Sequence, residues 1–210
     1  MTISIRNRQV ASDTHDIYDV SFFDDEIITV VTHSPSVVKS WIANIERIHR
    51  RRLHRLIVGL DVEWRPSFSR KSNPVATLQL CVGRRCLVFQ LIHAPTIPKS
   101  LEEFLMDEDY TFVGVGIDSD VQKLENDYGL EVCNTVDLKL LAAAELGIKG
   151  LRHAGLKALA WEVLEKELDK PRNVTLSAWD NRRLSDAQVC YACLDSFVSF
   201  EIGRVLNASD

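Results

Sequence analysis

The sequence predicts an α/β fold, a mixed β-sheet flanked by helices in a single domain. Three observations carry this. Leu56-Ile57-Val58-Gly59-Leu60 is a continuous apolar run, the pattern of a strand buried on both faces. Two pairs of strand-like stretches fold back around short polar turns, as hairpins do. Later in the chain, strand-like and helix-like segments alternate. The chain has 210 residues, of which 46% are hydrophobic and 26% charged. That is the size and balance of one globular domain, and it argues against long disorder, a coiled coil or a disulfide mini-protein.

The elements run in this order. Residues 1–16 read as a polar arm, and residues 17–210 as the domain. Tyr18-Val20-Phe22 and Ile27-Thr29-Val31 alternate around Asp24-Asp25, which predicts a hairpin. Ser34-Pro35 opens a helix bearing Val37, Val38, Trp41, Ile45 and Ile48 at helical spacing. After the apolar run at 56–60 comes a loop with Pro66 and Pro74. A second hairpin then joins 75–81 to 86–91 through Val82-Gly83-Arg84-Arg85. Pro98 starts a helix to about Met106. Residues 111–117 read as a strand, and 119–127 as a helix stopped by Gly129. Thr135-Val136-Asp137 leads into a helix at 138–144. Residues 151–168 read as one amphipathic helix, and Ser185 opens the last helix, to about Leu206.

The overall charge is -5, which excludes a highly basic nucleic-acid coat protein. Between Arg47 and Lys71, however, eight bases face two acids, so this stretch carries +6 and the remainder -11. A local basic patch can still meet phosphate. No apolar run approaches the roughly 20 residues of a membrane span. The polar start lacks a signal-peptide core, so secretion is not expected. Five Cys at unrelated spacings fit reduced thiols in the cytosol or nucleus. Among them, Cys81 and Cys86 flank a turn as buried thiols, and Cys190-x-x-Cys193 lacks a second Cys/His pair for zinc.

Three segments hold residues that could do chemistry. Asp61 and Glu63 end the apolar strand, and residues two apart share a face, so two carboxylates crowd one spot beside a dry core. A divalent cation would relieve that repulsion; alternatively both acids face water. Tyr191 and Asp195 lie four apart on the last helix, and Asp195 interrupts a stripe containing Ala187, Val198 and Ile202. An inward acid needs a partner, either a metal or a structural hydrogen bond. After the strand at 111–117, Asp118 reads as an N-cap, whereas Asp120 shares a face with Leu124 and can point inward. Asp137 reads as a cap.

Taken together, the three segments resemble the DEDD exonucleases of the ribonuclease-H-like class. The shared order is Asp-x-Glu ending a strand, an Asp opening a helix after a Gly-containing strand, and Tyr-x-x-x-Asp on a late helix. The chain resembles the Tyr subclass, since the other subclass has a His five residues before the last Asp and no His occurs after His153. Within it the likeness is to the Werner-syndrome-type 3'-5' exonuclease domain. The matching stretches are Asp61-Val62-Glu63-Trp64-Arg65-Pro66, Val113 to Ile117 with Asp120, and Ser177-Ala178-Trp179, Leu184-Ser185, Gln188, Tyr191-Ala192 and Asp195. Cys193, Leu194 and Ser196 depart from the usual Tyr-Ala-Ala-x-Asp-Ala. Residues 18–48 resemble the plant branch, and within it the small RISC-interacting clearing exoribonucleases.

The resemblance implies two-metal phosphodiester hydrolysis with Mg²⁺ or Mn²⁺, yielding 5'-mononucleotides. Asp61, Glu63 and Asp195 would hold one ion. Asp61 would bridge to a second that Asp120 completes, and Tyr191 would orient the attacking water. The likeness to the RISC-interacting clearing exoribonucleases further implies single-stranded RNA as substrate, Argonaute contact and a ring-shaped homo-oligomer; the lack of a long apolar run gives no membrane association as the expectation. A Werner-type DNA exonuclease, or a catalytically silent nucleic-acid-binding scaffold, is the alternative. Nucleic-acid contacts are expected from Trp64 and Arg65, beside Phe68, Arg70 and Lys71, and from Arg50, Arg51 and Arg52. Trp64 can equally plug the core, and the three arginines can equally be a solvated or nuclear-import-like run.

Overall fold

The computed structural model describes residues 3–67 and 72–209. Its first strand, β1 (Ile3–Asn7), lies inside the segment read as a polar arm. It pairs antiparallel with β2 (His15–Phe22), and Arg6 and Arg8 both bond Asp19 across the pair. Part of the arm is thus an edge strand; five residues with two isoleucines give too short an alternation to separate from coil. β2 turns at Phe23-Asp24 into β3 (Asp25–Thr32), as the first hairpin requires.

The helix α1 (Pro35–His49) has Ser34 as its N-cap residue and buries Val38, Trp41, Ile42 and Ile45. β4 (Leu56–Glu63) is the apolar strand, buried throughout its first five residues. β5 (Thr77–Val82) and β6 (Arg85–Phe89) form the second hairpin, with Gly83 in the left-handed region at φ 57°. Cys81 and Cys86 face each other in this pair, Cα atoms 4.3 Å apart, and are joined as a disulfide. This corrects the expectation of two thiols: register places these two Cys directly opposite.

Helix α2 (Lys99–Leu105) packs Phe104 edge-on against Trp41 and Phe112, so α1 and α2 cover one sheet face together. β7 (Tyr110–Gly114) stops earlier than expected, and α3 (Ile117–Tyr128) begins at once. Its N-cap residue is Gly116 at φ 75°, not Asp118, which is exposed in the first turn; Gly129 ends it in the left-handed conformation. β8 (Thr135–Asp137) runs into α4 (Leu138–Glu145), and Asp137 caps α4 by accepting from the Lys139 N–H at 3.0 Å.

The expected helix over 151–168 is broken. A 3-10 turn (Lys149–His153) precedes α5 (Leu156–Leu164), which ends at Glu165 in the left-handed region. Residues 166–171 lie outside regular secondary structure, then a single turn, α6 (Arg172–Thr175), leads towards α7 (Asp186–Val205). Ser185 and Gln188 form a capping box at the start of α7.

The eight strands form one mixed sheet in the order β1-β2-β3-β6-β5-β4-β7-β8. β3 runs parallel to β6, and β4 to β7 and β7 to β8; the other pairs are antiparallel. The second face is covered by α7, whose residues are buried from Val189 to Phe200 except Cys190. A helix enclosed on most sides shows no clean polar stripe. Among the described residues no helix is long and apolar enough to cross a membrane.

Candidate active site

The site lies where the carboxyl end of β4 passes beneath α7. Strand alternation puts Gly59, Asp61 and Glu63 on the face that α7 covers. Gly59 lets the helix sit there: a Cβ on it would stand 2.0 Å from the Ser196 carbonyl oxygen. Asp195, the residue before Ser196, is 3% exposed and faces the same two acids. One carboxylate oxygen each from Asp61, Glu63 and Asp195 can be chosen so that all three lie within 4.8 Å of one another. Among the described residues this is the only such group of potential metal ligands.

Asp120, on the first turns of α3, is half-buried and lies outside that tight trio, yet its charge acts on Asp61 and Glu63. Burial raises Asp61 well above the usual carboxylate range, and the charges of Asp195, Glu63 and Asp120 add to it. Glu63 is pushed up to about 8 by burial and by Asp195. Asp120 is pushed up to about 7 by burial, opposed by Lys170. Asp195 is raised by burial, against the pull of Lys170 and Tyr191.

The trio fits divalent cations. All donors are hard oxygens, and Asp61 Oδ2 is buried with no hydrogen-bond donor. A buried carboxylate oxygen without a donor is costly, and a coordinated cation removes that cost.

Tyr191, one helical turn before Asp195, is buried with its ring 5.9 Å from that of Trp179. The Thr175 hydroxyl donates to the Tyr191 oxygen at 3.2 Å, and the Trp179 N–H holds the Thr175 carbonyl at 3.2 Å. Gln188 donates to the Ser177 hydroxyl at 2.9 Å, which fixes the same loop to α7. The stretch 175–188 is therefore a scaffold for one phenol. Burial, then the Asp195 charge, push that phenol up to about 12.

Lys170 is the residue that sequence reasoning missed. Its Nζ lies 2.5 Å from Asp195 Oδ2 and 5.0 Å from the centroid of the Tyr191 ring. The helix expected to run through Leu168 concealed it. The available signal was Pro171, since a residue before proline is driven to extended backbone.

The expected nucleic-acid contacts separate. Trp64 is half-buried against the core with the Lys123 ammonium 5.0 Å from its ring centroid, so it is in part a plug. Arg65 is exposed and paired with Asp180 at 3.3 Å, beside the site. Arg50, Arg51 and Arg52 precede β4, whereas the acids end it. About seven residues of strand, on the order of 20 Å, divide them. The structure does not bring these arginines to the carboxylates of the same chain. Phe68, Arg70 and Lys71 lie outside the described residues. Cys193 is buried and accepts from Thr29 at 3.0 Å, so it is engaged within the core.

Residues 36–208 match the family model described as 3'-5' exonuclease. A 3'-5' exonuclease of Arabidopsis thaliana is 40% identical over 153 residues, 71% of this chain and 52% of the relative. The mouse bifunctional 3'-5' exonuclease/ATP-dependent helicase WRN is 31% identical over 153 residues, 72% of this chain and 11% of the relative. The chain thus spans about half the length of the plant relative. The crystal structure of the Aedes aegypti Nibbler EXO domain aligns with a TM-score of 0.69 at 18% identity, covering 85% of this chain and 87% of that one. The shared fold is the ribonuclease-H-like one expected.

Proposed function

The chain belongs to the 3'-5' exonuclease family, and from that premise we propose that it removes 5'-mononucleotides from the 3' end of single-stranded RNA. One observation carries the reaction: Asp61, Glu63 and Asp195 offer three convergent carboxylate oxygens within 4.8 Å. Asp61, Glu63 and Asp195, with Asp120 beside them, would hold Mg²⁺ or Mn²⁺, and those ions supply charge neutralisation at the phosphate and activation of the attacking water.

The protein's own residues do the rest. Asp120 adds its charge to the trio from α3, so acids of α3, β4 and α7 act on one another. Tyr191 stays protonated at neutral pH because burial raises it. It is therefore a poor base and a good positioning donor. With Thr175 donating to its oxygen, the phenol hydrogen is left to aim at Asp195 and at a water beside it. The burial of Asp195 and Tyr191 limits bulk water, which strengthens each of these interactions.

RNA as substrate rests on the likeness of residues 18–48 to the plant exoribonucleases, and so does a role on RISC cleavage products with Argonaute contact. A ring-shaped homo-oligomer rests on that same likeness. The Werner-type resemblance keeps DNA as the competing substrate. End-labelled RNA and DNA of one sequence, single- and double-stranded, supplied together with Mg²⁺, decide the point. The proposal expects single-stranded RNA to be consumed first; preferential loss of DNA would replace it with the Werner-type reading.

A further inference from the structure

The segment between α5 and α6 is built to deliver one cation into the carboxylate cluster. From Glu165 to Lys170 exposure alternates residue by residue: Glu165, Glu167 and Asp169 face solvent, while Lys166, Leu168 and Lys170 turn inward. Each inward residue is engaged. Lys166 bonds Asp25 at 3.0 Å and lies over the Phe22 and Phe23 rings. Leu168 is 1% exposed in the core. Lys170 meets Asp195 Oδ2 at 2.5 Å and sits over Tyr191. Pro171 then fixes the turn into α6, whose Thr175 holds the Tyr191 hydroxyl. Two anchors upstream and one downstream thus set the position of a single ammonium.

That ammonium acts on the whole cluster, since its charge reaches Asp61, Glu63 and Asp120 as well as Asp195. It is also placed to leave. The Lys170 side chain is 29% exposed against 4% for Asp195, so its stem reaches the rim while its partner is sealed in. A divalent ion on the same carboxylate carries twice the charge of an ammonium and repels it at close range.

We infer that Lys170 is a resident counter-cation of the site: it holds Asp195 and the neighbouring acids together before divalent ions bind, and competes with those ions for Asp195. The inference rests on the metal-dependent reading above. It assigns to Lys170 control of metal affinity, so that the metal concentration needed for function is set by a residue that is not itself a ligand.

The test measures Mn²⁺ binding directly, by the electron paramagnetic resonance signal of free Mn²⁺, with no substrate present. Lys170→Met keeps the apolar stem and removes the charge. It should bind Mn²⁺ about tenfold more tightly, the scale of one partly buried ion pair, and its thermal midpoint in chelator should fall. Lys170→Arg, which keeps the charge, should return affinity towards wild type. A purely structural role predicts the opposite, weaker binding in Lys170→Met. Unchanged or weakened Mn²⁺ affinity in a folded Lys170→Met protein overturns the inference and leaves the metal-dependent reading standing. Should Lys170→Met not fold, Lys170→Gln is judged by the same criterion. Wild-type protein that takes up no Mn²⁺ overturns both.

Discussion

Gly59 lies directly beneath the Ser196 carbonyl, so close that a Cβ on Gly59 would stand 2.0 Å from that oxygen and 2.8 Å from the Phe200 nitrogen. This contact sets the height of α7 over β4. Two residues further along the strand is Asp61, and one residue back along the helix is Asp195. The approach of two backbones therefore places two carboxylates of distant sequence origin at one spot.

Gly59→Ala forces the helix off the strand, because the obstructing atoms are backbone. The cost should be about 3 kcal/mol or more, at the upper end for overpacking. For a chain of this size the thermal midpoint should fall by roughly 6–12 °C. A midpoint within a degree of wild type would show that the contact does not set the packing.

Tyr191→Phe keeps the ring against Trp179 and removes only the hydroxyl that Thr175 holds. Single-turnover cleavage should fall by about 10²–10⁴, the range for a positioned proton-handling group. Metal and substrate affinity should hold, because every carboxylate remains. A loss confined to turnover marks an interaction made mainly in the transition state. Loss of stability with unchanged turnover would instead make the hydroxyl a structural partner of Thr175.

Metal-free protein should lose stability as pH rises. Glu63 at about 8 and Asp120 at about 7 stand above their ordinary values, chiefly through burial. The folded state therefore binds more protons than the unfolded chain across this interval. That stabilisation is complete below about pH 4 and is lost as pH climbs through 7 and 8. In chelator, the thermal midpoint should be lower at pH 8.5 than at pH 5.5, and Mg²⁺ should restore it at pH 8.5. A midpoint that rises with pH in chelator would contradict the site's electrostatics.

Replacing Arg50, Arg51 and Arg52 together with Ala should leave turnover on a short oligonucleotide unchanged, since these residues stand at the opposite end of β4 from the acids. If longer strands reach them, affinity should drop only for those strands, and the slope of binding against salt should flatten for them alone. A turnover defect on the shortest cleavable substrate would place the run at the active site after all.

Much of the fold and site was legible in the sequence where one physical signal dominates. The apolar run at 56–60 has the pattern of a buried strand, and strand alternation then put Asp61 and Glu63 on one face. Helical spacing did the same for Tyr191 and Asp195. The illegible parts depend on tertiary context. The strand at Ile3–Asn7 is short and mostly polar, so its pairing with His15–Phe22 shows only in the sheet. Leu156, Leu159, Val163, Leu164 and Leu168 suggest one long helix, but Glu165 adopts a left-handed conformation and ends it. The irregular stretch beyond Glu165 carries Lys170 into the site. Gly116 displaced Asp118 as N-cap residue because a positive φ was needed where β7 turns into α3.

The most direct test of the carboxylate site tracks a 5'-labelled single-stranded RNA on a sequencing gel, with wild type and Asp61→Asn, in Mg²⁺, Mn²⁺ or excess chelator. Asp61 contributes the buried oxygen without a donor, so its replacement strikes the centre of the cluster. The expected result is a ladder shortening one nucleotide at a time from the 3' end, with wild type and either ion, and none with Asp61→Asn or chelator while the variant melts at or above the wild-type temperature. A ladder from wild type that persists in excess chelator, or from Asp61→Asn at the wild-type rate, would contradict the claim that these carboxylates form a metal-dependent exonuclease site.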